Sequence, residues 1–296
     1  MFTNHLLKIF VTSLLFVTCS SSANTNLKVM TWNIEWLTSA PNPSMVPSHR
    51  SNADFSQLNQ YFSQISPDIL SFQEVNDLDA IKHVVGSNYT IWLSQRSWEE
   101  NRKHQFVQTN QYTGFAVNKA LSVTRMADLR LEHSPTSKLR FATYIVVEPD
   151  SEQPVHMLAI HLKAGCHAAY RNSKNCRRLK QQSYILQQWI LDRELDNDLY
   201  VIAGDFNHNL SYPNDWMWAL LSSGNNAVLA SKKAKATCLV KSKREPNKTY
   251  QYKSLIDHIV VSDHVLFTDA KQVEFKKEHV LNYNLSDHCP VTLHIQ

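Results

Sequence analysis

The chain has 296 residues, of which 43% are hydrophobic, and it carries a formal net charge of +4. This length is used as one unit by enzymes built on large sheets, and the chain contains no Pro/Gly/Ser linker and no internal repeat. After residue 23, no stretch is apolar for long enough to enter a membrane. These features exclude a repeat protein and predict a single domain over residues 24–296.

Residues 1–23 are typical of a secretory signal peptide. Lys8 precedes the mostly apolar run 9–17, and small residues ending at Ala23 follow it. A membrane anchor would need roughly 20 apolar residues, and a lipoprotein signal would have Gly or Ala before Cys19, where this chain has threonine. We expect cleavage near Ala23 and a secreted or periplasmic protein without stable membrane insertion.

Hydrophobic periodicity predicts strands and helices through the first half of the chain. Residues 27–34 are predicted to form a buried strand. Apolar residues then recur at helical spacing from Phe55 to Ile65, and a short helix is predicted between Asp77 as N-cap and Gly86 as its end. Further strands are predicted over residues 69–73, 89–94, 112–118, 139–148 and 155–162.

Hydrophobic periodicity also predicts helices and strands in the second half of the chain. A helix over residues 177–195 is predicted to lead into a strand at 199–203, and strands at 256–261 and 290–295 close the chain. Trp216-Met217-Trp218 is predicted to form a packed helix. Strands outnumber helices and come in adjacent pairs as well as alternating with helices, which indicates mixed sheets packed with helices rather than a doubly wound parallel sheet.

Four cysteines remain once the signal peptide is removed, and an even number suits an exported protein with disulfides. Cys166 and Cys176 flank a short polar loop, so their spacing favours a bond between them. A zinc site at this loop is the alternative, but no second ligand pair with metal spacing accompanies it. A bond between Cys238 and Cys289 is less secure.

Positive charge is concentrated in two segments, which suggests a polyanionic partner. The alternative is a pair of solvated surface loops. Residues 163–180 include Arg178, and residues 232–253 include Lys241, Lys243 and Arg244.

Polar residues of the types that bind metals or transfer protons stand at the ends or beginnings of several predicted strands. Each signal alone is weak, because Asx turns and buried core histidines produce the same patterns. The order of all these residue types along one chain is not expected by chance. The residues are Asn33, Glu74, His161, Asp205, Asn207, Asp257, Asp287 and His288.

With these residues in place, the chain resembles the endonuclease/exonuclease/phosphatase superfamily over nearly all of its mature length. The resemblance implies an α/β fold, a four-layer sandwich of two packed, mixed, mostly antiparallel sheets flanked by helices. The matching blocks are Thr31-Trp32-Asn33-Ile34, Phe72-Gln73-Glu74-Val75, His161-Leu162, Gly204-Asp205-Phe206-Asn207, Ile256-Asp257-His258-Ile259 and Ser286-Asp287-His288-Cys289-Pro290-Val291.

The resemblance also implies roles for the residues of this chain. Asn33 and Glu74 would hold the principal metal, with Asp287 in the same cluster, and hard oxygen ligands select Mg²⁺, with Mn²⁺ or Ca²⁺ as other possibilities. Asp205 and Asn207 would position the phosphate and the attacking water. His288 would be the general base, and Asp257 would orient its ring.

His161 would bind a phosphoryl oxygen or protonate the leaving group. Deoxyribonucleases pair this histidine with a glutamate, and the most similar position here is Gln111. Glutamine cannot stabilise an imidazolium by charge.

Three functions are compatible with the sequence. A secreted, monomeric nuclease acting on DNA or RNA is favoured by the basic segments, because Lys and Arg supply most sequence-independent nucleic-acid affinity. A sphingomyelinase-type lipid phosphodiesterase is the second, and it would expose an aromatic-tipped loop. A non-catalytic nucleic-acid-binding protein that retains the fold is the third, and it would lack reactive residues at some of the positions named above.

Overall fold

The computed structural model describes residues 26–149 and 153–296, and the predicted signal peptide, residues 1–23, lies outside them. Within the described residues, the strands in chain order are β1 (Leu27–Leu37), β2 (Ile69–Val75), β3 (Tyr89–Leu93), β4 (Tyr112–Asn118), β5 (Ser122–Arg125), β6 (Leu129–Arg130), β7 (Phe141–Glu148), β8 (Val155–His161), β9 (Leu199–Asp205), β10 (Val228–Leu229), β11 (Leu239–Lys241), β12 (Thr249–Gln251), β13 (Asp257–Val261), β14 (Lys271–Gln272) and β15 (Val291–Ile295). The helices are α1 (Asn52–Ile65), α2 (Leu78–Val85), α3 (Lys174–Leu195), α4 (Trp216–Leu221) and α5 (Lys277–Asn282).

The strands form two large sheets that are mixed and mostly antiparallel. The first sheet has the order β14-β15-β1-β2-β4-β3, and the second has the order β10-β13-β9-β8-β7-β5, with β6 beside β7. Each sheet contains one parallel pair, β1 with β2 and β8 with β9. Strands β11 and β12 form a separate hairpin.

Side chains of the central strands alternate between two apolar layers, because successive residues of a strand point to opposite faces. Val29 of β1 and Met157 of β8 lie in the core between the sheets. Met30 packs in the core with the residues of α1 and α2, and Leu158 packs with those of α3 and α4. The chain is therefore a four-layer α/β sandwich with two sheets between two helical layers, as the resemblance implied.

Local chemistry sets the ends of the helices. Helix α1 begins after Ser51, whose side chain forms a capping box with Asp54. Asp77 caps α2, and Gly86 ends it, as predicted. Helix α3 begins at Lys174, three residues before the predicted start, because the Ser173 side chain accepts a hydrogen bond from the N–H of Cys176.

Helix α4 contains the sequence Trp216-Met217-Trp218 and is packed as predicted, with Met217 fully buried. In the part of the chain that the structure describes, no helix has the length and apolar character to cross a bilayer.

Candidate active site

Strand ends from both sheets meet at one edge of the sandwich. Strands β1, β2, β8 and β9 end there, while β13 and the segment before β15 begin there, because β13 pairs antiparallel with β9 and β15 with β1. This arrangement brings together the predicted catalytic and metal-binding residues, which are Asn33, Glu74, His161, Asp205, Asn207, Asp257, Asp287 and His288.

Asp205 is the buried centre of this group. The side-chain amide of Asn33 donates to Oδ2 of Asp205 at 3.0 Å, and the backbone N–H of Asn207 donates to Oδ1 at 2.7 Å. Burial raises the pKa of Asp205 to about 7, although His288 opposes the rise. Gly204 before it is required by close packing, since a Cβ there would lie 2.0 Å from the carbonyl oxygen of Ile160.

The backbone beside Asp205 is strained. Glu35, Trp36, Glu74 and Asn207 have φ angles of 39°, 52°, 60° and 52°, in the left-handed region that non-glycine residues rarely adopt. The register between β1 and β2 shifts in the same place, and the Trp36 N–H donates to Oε2 of Glu74 at 3.3 Å. Each such residue costs on the order of 1–3 kcal/mol, and such strain clusters at functional sites.

His288 and Asp257 form a hydrogen-bonded pair. Nδ1 of His288 lies 2.8 Å from Oδ2 of Asp257, and its Nε2 lies 4.0 Å from Oδ2 of Asp205 and 3.8 Å from Oδ1 of Asp287. Burial by itself would lower the pKa of His288, but the Asp257 carboxylate, aided by the other two, raises it well above its ordinary value. A carboxylate that orients a histidine in this way also stabilises its imidazolium form.

His161 is paired with Arg140, a residue that the sequence did not single out. The Arg140 guanidinium donates to Nε2 of His161 and, at 3.3 Å, to the carbonyl of Leu162. Burial and then the charge of Arg140 hold the pKa of His161 well below its ordinary value. The ring is therefore neutral with its acceptor nitrogen on the arginine, which argues against His161 as the proton donor to a leaving group.

Gln111 lines the same cavity as His161, but within the described residues it makes no hydrogen bond to that histidine. The position that resembles a glutamate in deoxyribonucleases therefore does not supply the partner of His161. Arg140 supplies it instead.

Asp287 connects the site to the hairpin of β11 and β12. Nζ of Lys243 lies 3.0 Å from Oδ2 of Asp287, and the Asp287 N–H donates to Oε2 of Glu35 at 2.9 Å. Burial, reinforced by the charge of Asp287, raises the pKa of Glu35 to about 7. Lys243 thus lies in the wall of the candidate active-site cavity.

A polar cavity of about 390 Å³ is lined by most of these side chains, including Glu74, Arg140, His161, Asp205 and His288. Lys163 and Lys243 add positive charge to its walls. Carboxylates, two histidines and cations thus face one space, and its volume lies within the range of roughly 300–1,000 Å³ that is usual for small-ligand sites.

The sequence profile described as the Endonuclease/Exonuclease/phosphatase family matches residues 30–288. The chain belongs to this family. A search of curated protein sequences gave no significant match.

Solved structures with this fold include the endonuclease/exonuclease/phosphatase from Bacteroides vulgatus, at 15% identity and a TM-score of 0.66, covering 92% of this chain and 99% of that one. The mannosyl-6-phosphatase from Bacteroides thetaiotaomicron is 16% identical with a TM-score of 0.62, covering 91% and 99%. Truncated TDP2 from Caenorhabditis elegans is 18% identical with a TM-score of 0.57, covering 91% and 97%. At these identities, the likeness shows the shared fold.

Members of the endonuclease/exonuclease/phosphatase family are hydrolases, mostly dependent on a divalent metal. The residues present fit a hard cation, because the carboxyl side chains of Glu74, Asp205 and Asp287 line one cavity and the side-chain amide of Asn33 lies 3.2 Å from Oε1 of Glu74. Asp205, Asp257 and His288 also place possible ligand atoms within 4.8 Å of one another. Asp257 and His288 are hydrogen bonded to each other, so the facing atoms of that pair are already occupied.

The four residues predicted to bind substrate lie in different surroundings. Arg178 lies 3.7 Å from Glu132 and does not line the cavity, whereas Lys243 does. Lys241 and Arg244 are exposed on the hairpin. The hairpin, residues 239–251, therefore carries cations from the cavity wall outward, and we call it the basic hairpin.

Both cysteine pairs are bonded, and each tethers a loop of the site. Cys166–Cys176 ties the loop after His161 to the first turn of α3. Cys238–Cys289 ties the basic hairpin to the residue that follows His288. Since the first pair is a disulfide, it offers no thiolates for the zinc site considered above.

Arg50 is a further residue that the sequence did not indicate. Its guanidinium donates to five backbone carbonyls, those of Ile34, Glu35, Pro47, Asn284 and Leu285. Four of these carbonyls belong to the segment after Asn33 and to the segment before Asp287, and that of Pro47 lies three residues before Arg50 in sequence. Arg50 therefore fixes two halves of the site to each other.

Proposed function

We propose that the chain is a secreted, Mg²⁺-dependent nuclease that hydrolyses phosphodiester bonds of DNA or RNA. The observation that carries the proposal is the pair of Asp257 and His288, whose Nε2 faces a cavity lined by carboxylates and cations. Phosphodiester hydrolysis needs a deprotonated water in line with the leaving oxygen and neutralisation of charge on the phosphoryl group.

Asn33, Glu74 and Asp287 would hold the cation, with Mn²⁺ or Ca²⁺ as other candidates. When bound, it supplies charge neutralisation on the phosphoryl oxygens. Asn207 donates its amide to the carbonyl of Leu162 at 3.1 Å and to Oδ2 of Asp205 at 3.2 Å, which fixes the side chain beside the phosphate position. Asp205 and Asn207 therefore position the phosphate and the attacking water.

Proton transfer is assigned to His288. In the neutral form of His288, which the positive charge of a bound cation would favour over the imidazolium, Nε2 takes the proton of the attacking water, while Nδ1–H remains hydrogen bonded to Asp257. The buried carboxylate stabilises the imidazolium that forms. Arg140 neutralises charge on the phosphoryl group, and neutral His161 holds the guanidinium in place.

Nucleic acid is the proposed substrate because cations continue from the cavity along the basic hairpin. Lys243 contacts Asp287, and exposed Lys241 and Arg244 extend the positive surface away from it. Such a surface suits a chain of phosphates more than an isolated phosphate group.

The test is hydrolysis by the exported protein of single-stranded DNA, duplex DNA, RNA, sphingomyelin vesicles and mannose 6-phosphate, with Mg²⁺ and with excess EDTA. We expect cleavage of nucleic acid that requires the metal and that is lost in His288→Ala. Hydrolysis of the sugar phosphate alone would make the protein a phosphomonoesterase. Binding of nucleic acid without hydrolysis would make it a non-catalytic binder.

A lipid phosphodiesterase is the second candidate, and one surface feature favours it. Phe106 and Val107 are 49% and 98% exposed in the loop that leads to Gln111 at the cavity. An apolar loop tip near the site is what a membrane-acting member would use. If Phe106→Ser abolishes hydrolysis of sphingomyelin vesicles while nucleic acid is left uncut by the native protein, this candidate replaces the nuclease.

A further inference from the structure

A second cavity, of about 530 Å³, lies directly beside the phosphate cavity. Its walls are apolar over most of their area and include Ala236, Tyr252, Leu255 and the Cys238–Cys289 disulfide. Nothing in the proposed hydrolysis of a phosphodiester uses this space.

The two cavities share Asn207, Asp287 and His288 as lining residues. The two cavities are therefore adjacent, with these three residues in the walls of both. The apolar cavity is placed to receive one substituent of the scissile phosphate, next to the proposed general base.

We propose that this cavity binds one unpaired nucleobase next to the scissile phosphate, an inference that rests on the proposed nuclease function. Its volume lies within the range of roughly 300–1,000 Å³ that is usual for sites of small ligands. Tyr252 lines it with a ring that is 40% exposed and therefore available for stacking.

Polar groups in the wall suit the edge of a base. The amide oxygen of Gln272 accepts hydrogen bonds from the N–H groups of Thr237 and Cys238, both at 2.8 Å, which fixes the orientation of the amide. The hydroxyl of Ser254 lies in the same wall, 3.0 Å from the hydroxyl of Tyr212. A mostly apolar pocket with a few fixed polar groups is the usual form of a site for a planar heterocycle.

Charge at the rim favours a nucleotide over an acyl chain. Lys253 lines the cavity, and the basic hairpin ends at Gln251, directly before Tyr252 in the cavity wall. An acyl chain gains nothing from these cations, whereas the phosphates on either side of a bound base do.

The inference predicts a preference for single strands. In a duplex, each base is stacked and paired, so it must be extruded before it can enter a pocket. A single strand offers its bases without that cost, and stacking on an aromatic side chain tolerates any base.

The test measures binding of a fluorescently labelled single-stranded oligonucleotide, and of the duplex of the same sequence, to the full chain in a His288→Ala background that prevents turnover. We expect tighter binding of the single strand. Adding Tyr252→Ala raises its Kd by about 5- to 150-fold, the usual loss for one stacked base. Tyr252→Phe keeps the ring and restores the affinity, and Ala236→Phe fills the cavity and weakens binding.

Tyr184→Ala is the matched control, because Tyr184 is a similarly exposed tyrosine on α3 that lines neither cavity. If Tyr252→Ala leaves single-strand affinity unchanged while the native protein cleaves nucleic acid, the base pocket is wrong and the nuclease stands. Tighter binding of the duplex leads to the same conclusion. If the native protein neither binds nor cleaves nucleic acid, both the proposed function and this inference fail.

Discussion

Replacement of Arg50 by methionine tests whether one side chain holds the two halves of the site together. The change removes five hydrogen bonds from a charged donor to backbone carbonyls. Hydrogen bonds to charged groups contribute about 1.5–3 kcal/mol each, but they are not additive when they share one donor group. We therefore expect the free energy of unfolding to fall by about 3 kcal/mol, because several backbone carbonyls lose their donor at once.

A loss of this size lowers Tm by roughly 6–12 °C in a chain of this length. Differential scanning calorimetry of Arg50→Met, Arg50→Lys and the control Arg102→Met measures it, and we expect the lysine variant to fall between native protein and Arg50→Met. Arg102 is exposed and, among residues 26–149 and 153–296, forms an ion pair only with Glu99, so its loss should change stability by less than about 0.5 kcal/mol. An Arg50→Met variant with the native Tm would refute the reasoning.

Three further predictions concern the site and its surroundings. Arg140→Met should lower kcat/KM by about 100- to 1,000-fold at saturating Mg²⁺, the usual loss for a group that stabilises developing charge; a change below threefold would exclude it from the reaction. The Cys238–Cys289 bond joins residues 51 apart in sequence, so its loss should lower the free energy of unfolding by about 4 kcal/mol. The Cys166–Cys176 bond joins residues 10 apart, so its loss should cost about 3 kcal/mol. Urea denaturation of the two double-alanine variants should show that order, and the reverse order would contradict it. Charge reversal at Lys241 and Arg244 should reduce the slope of the logarithm of the nucleic-acid binding constant against the logarithm of salt concentration by roughly 1.5. An unchanged slope would show that the nucleic acid does not contact these two residues.

The residues at strand ends could be predicted because their signal is local. Glu74 and Asp205 each follow an apolar run, and Asp287-His288 precedes one, so a polar residue of a reactive type stands out against its neighbours. Their order along the chain then matched a family. Periodicity alone supported only mixed sheets packed with helices, and the four layers came from the resemblance.

Arg50 and Arg140 could not be predicted because contacts far apart in sequence define them. Arg50 donates to the carbonyl of Leu285, which lies 235 residues away in sequence, and to that of Ile34, which lies 16 residues away. Arg140 stands immediately before an ordinary buried strand, β7, and only the fold brings it to His161. An arginine at the edge of an apolar run was the one signal available, and it is common in proteins without such a site.

The partner of Cys238 was left open by the sequence for a similar reason. A separation of 51 residues fixes no pairing by itself. The return of the chain through the basic hairpin to β15 determines that Cys238 meets Cys289, and the same return creates the apolar cavity beside His288.

The central claim is that His288 and Asp257 act as one unit in phosphodiester hydrolysis, and a double-mutant cycle tests it most directly. Turnover at saturating Mg²⁺ should fall by about 100- to 10,000-fold in His288→Ala and nearly as far in Asp257→Asn. The double variant should be little worse than either single variant, and the exposed-histidine control His264→Ala should match native protein. A folded His288→Ala variant with near-native turnover, or losses that multiply in the double variant, would contradict the account.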